Sequence, residues 1–126
     1  MRVYKTSDKI KIKIDELTFT ISPLSISDKS SVQSLMLEGQ KTQDLAKLNE
    51  AIHMAIKMSV KHVEGLTEES GEPYTFNYAD GKMSDENLND LLNLPISEKM
   101  IKVCSQIVSG VPSDFKIEGV SFVEKK

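Results

Sequence analysis

From Ile10 to Ile21 apolar and polar residues alternate with a single break at Asp15-Glu16. Ile10, Ile12 and Ile14 stand among Lys9, Lys11 and Lys13, and Leu17, Phe19 and Ile21 stand around Thr18 and Thr20. A period of two marks a strand with one buried face, and two such runs separated by two residues read as a β-hairpin. With Asp15-Glu16 as the turn, Ile14 faces Leu17, Ile12 faces Phe19 and Ile10 faces Ile21. Six apolar side chains then share one face and the Lys/Thr set takes the other. Asp-Glu lacks the glycine that such turns prefer. A sheet beginning with one apolar face must be covered by another layer, which the rest of the chain has to supply.

After Pro23 the period lengthens to that of helices. Ser25 is placed to cap a helix with Asp28 in its first turn, and Val32, Leu35 and Met36 form an i, i+3, i+4 stripe that Gly39 ends. Thr42 opens the most strongly patterned helix. Its Leu45, Leu48, Ile52, Ala55 and Ile56 make one stripe, flanked by Ala51, Met54, Met58 and Val63, and it runs to Gly65. Residues 65–73 read as an exposed loop, and Tyr74-Thr75-Phe76-Asn77-Tyr78 as an aromatic strand closed by the turn Asp80-Gly81. Ser84 caps a helix carrying Leu88, Leu91 and Leu92, and Pro95 interrupts it. Ser97 starts the last helix, with Ile96 and Ile101 as a hydrophobic staple across that cap. Met100, Ile101, Val103, Cys104, Ile107 and Val108 wrap more than half of this helix, so it is buried or docks on something, and Gly110 with Pro112 ends it.

The expected architecture is α+β: a small antiparallel sheet, made of the N-terminal hairpin plus short strands, packed against three to four helices. The 126 residues suit one domain. Its parts are a hairpin over 1–22, helices over 25–64, an acidic loop and aromatic strand over 65–82, helices over 84–110 and an edge strand over 116–123.

Sixteen Lys and Arg against nineteen Asp and Glu give a net charge of −3, which lacks the dense basic surface that nucleic-acid binding needs. The charge is uneven along the chain. Arg2, Lys5, Lys9, Lys11 and Lys13 oppose Asp8 in the first thirteen residues, for +4. Glu64, Glu68, Glu69, Glu72, Asp80, Asp85, Glu86 and Asp90 oppose Lys82 further on, for −7. Such complementary patches steer partners or favour head-to-tail self-association, unless both are simply solvated. The longest aliphatic run is Leu35-Met36-Leu37, so neither a signal peptide nor a membrane span is expected. Cys104 as the only cysteine excludes an intramolecular disulfide and fits a cytoplasmic protein.

Sites for chemistry are sparse. His53 and His62 lie nine apart on the predicted long helix, which does not make the i, i+4 pair of a helical zinc site. His53, Lys57 and Lys61 align instead as a mildly cationic strip. Cys104 sits among Ile101 and Val108, a setting for a small buried hydrophobe and not for a nucleophile. Asp80, Asp85, Glu86 and Asp90 lack the spacing and central glycine of a calcium loop. No phosphate-binding glycine loop, dinucleotide fingerprint or serine elbow occurs. A non-enzymatic protein without metal or cofactor is expected, binding protein partners and not nucleic acid or membrane. Flexible thioethers suit surfaces that accept apolar partners, and the candidate partner-binding residues are Met54, Met58, Met100, Ile101 and Val108 with the aromatic strand Tyr74, Phe76 and Tyr78.

The run Ile12-Lys13-Ile14-Asp15-Glu16-Leu17-Thr18-Phe19-Thr20-Ile21-Ser22-Pro23-Leu24 leads from a hairpin into helices, and Leu94-Pro95-Ile96-Ser97-Glu98-Lys99-Met100-Ile101-Lys102-Val103-Cys104 forms a helical run. In this layout the chain resembles the small tail assembly chaperones of long-tailed bacteriophages. The resemblance implies a non-catalytic protein of the host cytoplasm that binds the long helical tape-measure protein, keeps it soluble and recruits tail-tube subunits. It also implies a longer frameshifted product, for which Glu124-Lys125-Lys126 is the place to look. The alternatives are a structural tail or connector subunit that polymerises through its hairpin edges, and a small acidic inhibitor of a host protein.

Overall fold

A computed structural model describes residues 2–123, so the three residues singled out for frameshifting lie outside the described part. The chain is an α+β protein in which a four-stranded antiparallel sheet is covered on one face by helices. Strands β1 (Ile10–Ile14) and β2 (Leu17–Ile21) form the predicted hairpin with Ile10 opposite Ile21, Ile12 opposite Phe19 and Ile14 opposite Leu17. Asp15 takes φ 52°, the left-handed conformation that Asp tolerates, and so makes the turn without glycine. Its backbone N–H donates to the Gly119 carbonyl, and its carboxylate accepts from Lys99 at 2.8 Å. Gly119, at φ 79°, has no room for a side chain, since a Cβ there would lie 2.2 Å from the Asp15 carboxylate.

Helix α1 (Ile26–Thr42) is capped by Ser25, whose hydroxyl accepts the Asp28 N–H, and it continues through Gly39 to a left-handed Gln43. The predicted stop at Gly39 is therefore corrected. That glycine is buried at the closest approach of α1 to helix α2 (Leu45–Ser59), where a Cβ would meet Leu48 at 2.9 Å. Asp44, and not Thr42, caps α2 by accepting the N–H groups of Ala46 and Lys47.

A second correction concerns the predicted helix to Gly65 and the helical stretch 25–64. Helix α2 stops at Ser59 and passes without a loop into strand β3 (Val60–Glu64), which pairs with β2. A bulge leaves Lys61 unpaired: Thr20 faces His62 while Ile21 faces Val60. Val60 and Val63 thus point into the core on a strand. The short hairpin β4 (Tyr78–Ala79) and β5 (Lys82–Met83) turns at Asp80-Gly81, where both residues have positive φ as the type I′ geometry requires. The aromatic run 74–78 is therefore a strand only at Tyr78. Helix α3 (Asp85–Leu92) is capped by Ser84, and helix α4 (Ser97–Ser109) has Ile96 at its cap position with no side-chain cap. The predicted edge strand over 116–123 is confined to β6 (Val120–Phe122), which pairs with β1 and gives the order β3-β2-β1-β6.

The core has two parts. Ile12, Ile14, Phe19, Ile21, Val60 and Val63 from the sheet pack on Ile56, Leu88, Leu91, Met100, Val103, Cys104 and Ile107 from the helices. Behind this layer, Val32 of α1 packs with Ala51, Ala55 and Met58 of α2 and Val108 of α4. Helix α1 is thus an outer layer that buries only Val32 and Gly39. The opposite sheet face, with Lys9, Lys11, Lys13, His62, Glu64 and Ser121, is exposed. No helix among the described residues is long and apolar enough to cross a membrane.

Candidate partner-binding site

The eight residues expected to bind partners do not form one surface. Met100 is fully buried beneath the sheet, and Met58 and Val108 are 5% and 4% exposed, so all three fill the core and only Met58 and Val108 reach the border of a groove. Burial follows from the breadth of the apolar faces, since the α4 face with Met100 and Val108 and the α2 face with Met58 are taken up by the sheet and by the neighbouring helices. Met54 is half-buried and lines, with Met58, a groove between α2 and α3. Ile101 borders a separate shallow surface beside residues 112–117. Tyr74, Phe76 and Tyr78 stack as a series alongside β3: Tyr74 and Phe76 meet edge-on at 5.0 Å, and Phe76 also meets His62 at 5.9 Å.

Asn87 holds this aromatic segment in place. It is 3% exposed. Its amide donates to the Tyr74 hydroxyl at 2.7 Å and the Thr75 carbonyl at 3.2 Å, and its side-chain oxygen accepts the Asn77 N–H at 2.7 Å and the Ser84 hydroxyl at 2.9 Å. The Tyr74 hydroxyl in turn donates to Asp90. Burial foremost, and then this bond to Asp90, raise the Tyr74 pKa. The Tyr78 hydroxyl donates to the Val60 carbonyl at 3.2 Å, and burial pushes its pKa up to about 12. These aromatics cover a strand edge.

The least polar concavity is one that pattern reading did not assemble, an open groove of about 360 Å3 where α1, α2 and α4 meet. Ala51 and Ala55 of α2 form its floor, with Ile52 beside them. Val32, Met36 and Leu37 form the α1 wall, and Val108 the α4 wall. Its polar rim consists of Gln33, Gln40, Ser105 and Ser109, with no charged side chain. Leu37 stands 65% exposed at its edge. Small residues along the floor let another backbone approach closely, and aliphatic walls reward burial of apolar side chains. The signal in the sequence is the pair Ala51 and Ala55 on one side of α2, facing an α1 whose Leu37 has no partner in the core. The groove between α2 and α3 is larger, about 720 Å3, but Glu50, His53, Lys57, Lys82 and Asp85 line it, and Lys57 pairs with Asp85 at its border.

His62 lies on β3 and His53 on α2, which separates them, and Lys61 leaves the strip expected with His53 and Lys57 to donate to the Gly81 carbonyl. No group of three or more His, Cys, Asp or Glu side chains among the described residues is arranged to hold a metal ion. Cys104 is buried, and burial raises its thiol from the ordinary 9.0 to about 12, against a smaller opposing effect of the Ser59 hydroxyl. Because the folded pKa lies above the unfolded one, the thiol costs no stability below pH 9. Stability then falls as pH rises from about 9 towards 12, by on the order of 1 kcal/mol per pH unit from this group. Denaturation at several alkaline pH values should show a shallower decline in Cys104→Ala than in the wild type. An equal decline would mean that the thiol is not desolvated.

No protein-family model, no curated protein and no solved structure matches this chain.

Proposed function

We propose that the chain is a non-catalytic assembly chaperone that holds an apolar face of a helical partner in the groove between α1, α2 and α4. The observation that carries this reading is the uncharged groove itself, with an alanine floor, aliphatic walls and an exposed Leu37 at its edge. An occupant whose docking face carried charge would be desolvated there without a counter-charge, so the groove suits the apolar stripe of a helix, the helix-in-groove mode of recognition. Together with the layout of hairpin followed by helices, this supports a tail assembly chaperone of a long-tailed bacteriophage. Its partners would be the tape-measure protein and tail-tube subunits, met in the host cytoplasm, with no cofactor. Polymerisation as a structural subunit is the weaker reading, because the aromatic segment lies along β3 and β6 offers only three residues for pairing.

Capture of the tagged protein from cells that produce it, with mass spectrometry of the eluate, tests the reading. A long heptad-rich protein or a tail-tube subunit is expected. A single host enzyme would instead favour an inhibitor. Leu37→Glu places a charge at the groove edge where the side chain is 65% exposed, so the fold should be unaffected within about 0.5 kcal/mol. Partner binding should weaken about tenfold or more, whereas Asn49→Glu, beside the other groove, should leave it unchanged. Equal binding by all three proteins would sink the assignment of this groove.

A further inference from the structure

We propose that the open face of the sheet is a docking surface for a second copy of this chain, and that the second copy's acidic loop over residues 68–72 is what sits on it. The pairing scheme places Lys11 beside Thr20 and Thr20 beside His62 in one row across the strands, and Ser121, Lys13, Thr18 and Glu64 in the next. Lys9, Lys11 and Lys13 point to this exposed side at every second position of one chain segment, about 7 Å apart. Only Lys11 has a carboxylate within reach among the described residues, Glu64 at 3.9 Å, and both side chains are more than half exposed. The face therefore carries two lysines, Lys9 and Lys13, without a carboxylate partner among the described residues on either side of the Lys11–Glu64 pair, and it offers lysine and Ser121 hydrogen-bond donors more than apolar area.

The complementary feature lies on the same chain. Following β3, the segment folds back on itself: Glu68 N–H donates to the Glu72 carbonyl, Gly71 N–H donates to the Glu68 carbonyl, both at 2.8 Å, and Thr67 bridges Pro73. Glu68, Glu69 and Glu72 are all exposed on this tight loop, and none is in an ion pair among the described residues. A loop already closed by its own backbone loses little freedom on docking. The three carboxylates of a preformed loop are opposite in sign to Lys9, Lys11 and Lys13, of which Lys9 and Lys13 have no carboxylate partner among the described residues. A second copy brings both features to every encounter, which no unrelated acidic peptide does. Because the surfaces are polar, the association draws its strength and orientation from charge and is weakened by salt.

Sedimentation velocity of the full chain at about 25 mM and about 500 mM salt tests this, where screening changes the range of charge interactions several-fold. Self-association at low salt, weakened about tenfold or more at high salt, is expected. Lys9→Glu/Lys13→Glu and Glu69→Lys/Glu72→Lys should each remain monomeric at low salt, with unchanged circular dichroism as the check on folding. An equimolar mixture of these two variants should associate again, because the reversed charges are complementary between them. A monomeric wild type at low salt, association that salt leaves unchanged, or a mixture that stays monomeric would each overturn the proposal. None of these outcomes depends on the groove between α1, α2 and α4.

Discussion

Asn87→Leu is expected to lower stability by about 2–4 kcal/mol, although the two side chains have the same number of heavy atoms and the same branching. The substitution removes both side-chain donors and the acceptor at a site only 3% exposed. It strands the Thr75 carbonyl, the Asn77 N–H and one bond of the Tyr74 hydroxyl, all of which the amide satisfies in the native protein. These bonds lie in part-buried positions, where a group that loses its partner carries a share of the desolvation penalty that still exceeds the net gain from forming the bond. The damage should begin locally. Residues 74–78 are tied to α3 through this one side chain and through Tyr74 to Asp90, so their amides should exchange with solvent before those of β1 and β2. Tyr74→Phe serves as the control. It removes only the hydroxyl between Asn87 and Asp90 and should cost about 1 kcal/mol. Equal losses from the two variants in denaturant titrations would mean that Asn87 does not organise the segment.

This device also shows where a single sequence runs out. Asn87 is three residues beyond Ser84, and nothing in that spacing distinguishes a solvated helix-start residue from one that organises Tyr74, Thr75 and Asn77. The hairpin was fully legible because its information is local: the alternation sets the faces, and the two-residue turn sets the register. Strand β3 was not. Val60 and Val63 continue the apolar spacing of α2 closely enough for a longer helix to fit, and what selects the strand is the free edge of β2, some forty residues earlier. Tertiary pairing overrides the local period there, and the buried Ser59 marks the switch, its hydroxyl donating back to the Ala55 carbonyl at 2.6 Å. The same non-locality hid the groove. Ala51, Ala55 and Val108 are legible as apolar positions, but whether a third helix closes over them or leaves a gap depends on how α1 is set against α2. Methionine flexibility was a poor guide, since Met58 and Met100 fill the core.

How α1 is set against α2 comes down to Gly39, and Gly39→Leu is expected to cost about 2–3 kcal/mol while also weakening partner binding. A Cβ at this position lies 2.9 Å from the Leu48 side chain and 3.0 Å from the Leu48 backbone nitrogen. The side chain can turn away; the backbone can yield only if the helices part. Leucine in place of glycine favours the helical state by about 1 kcal/mol, so the crowding must exceed that gain to produce the net loss. Alanine already carries the Cβ that crowds Leu48, so Gly39→Ala should also lose stability, by about 1 kcal/mol net of its helix preference and less than leucine, whose further carbons must be housed as well. Because α1 fully buries only Val32 and Gly39, with Leu35 and Met36 partly buried beside them, it is less firmly held than the sheet once this contact is forced open. Hydrogen exchange should then show α1 opening ahead of the sheet. The groove loses its Val32, Met36 and Leu37 wall in the same event, so Gly39→Leu should lose stability and binding together, where Leu37→Glu loses binding alone. A Gly39→Leu protein as stable as the wild type would show that α1 can shift without cost, and the groove would then lack the fixed wall that helix docking requires.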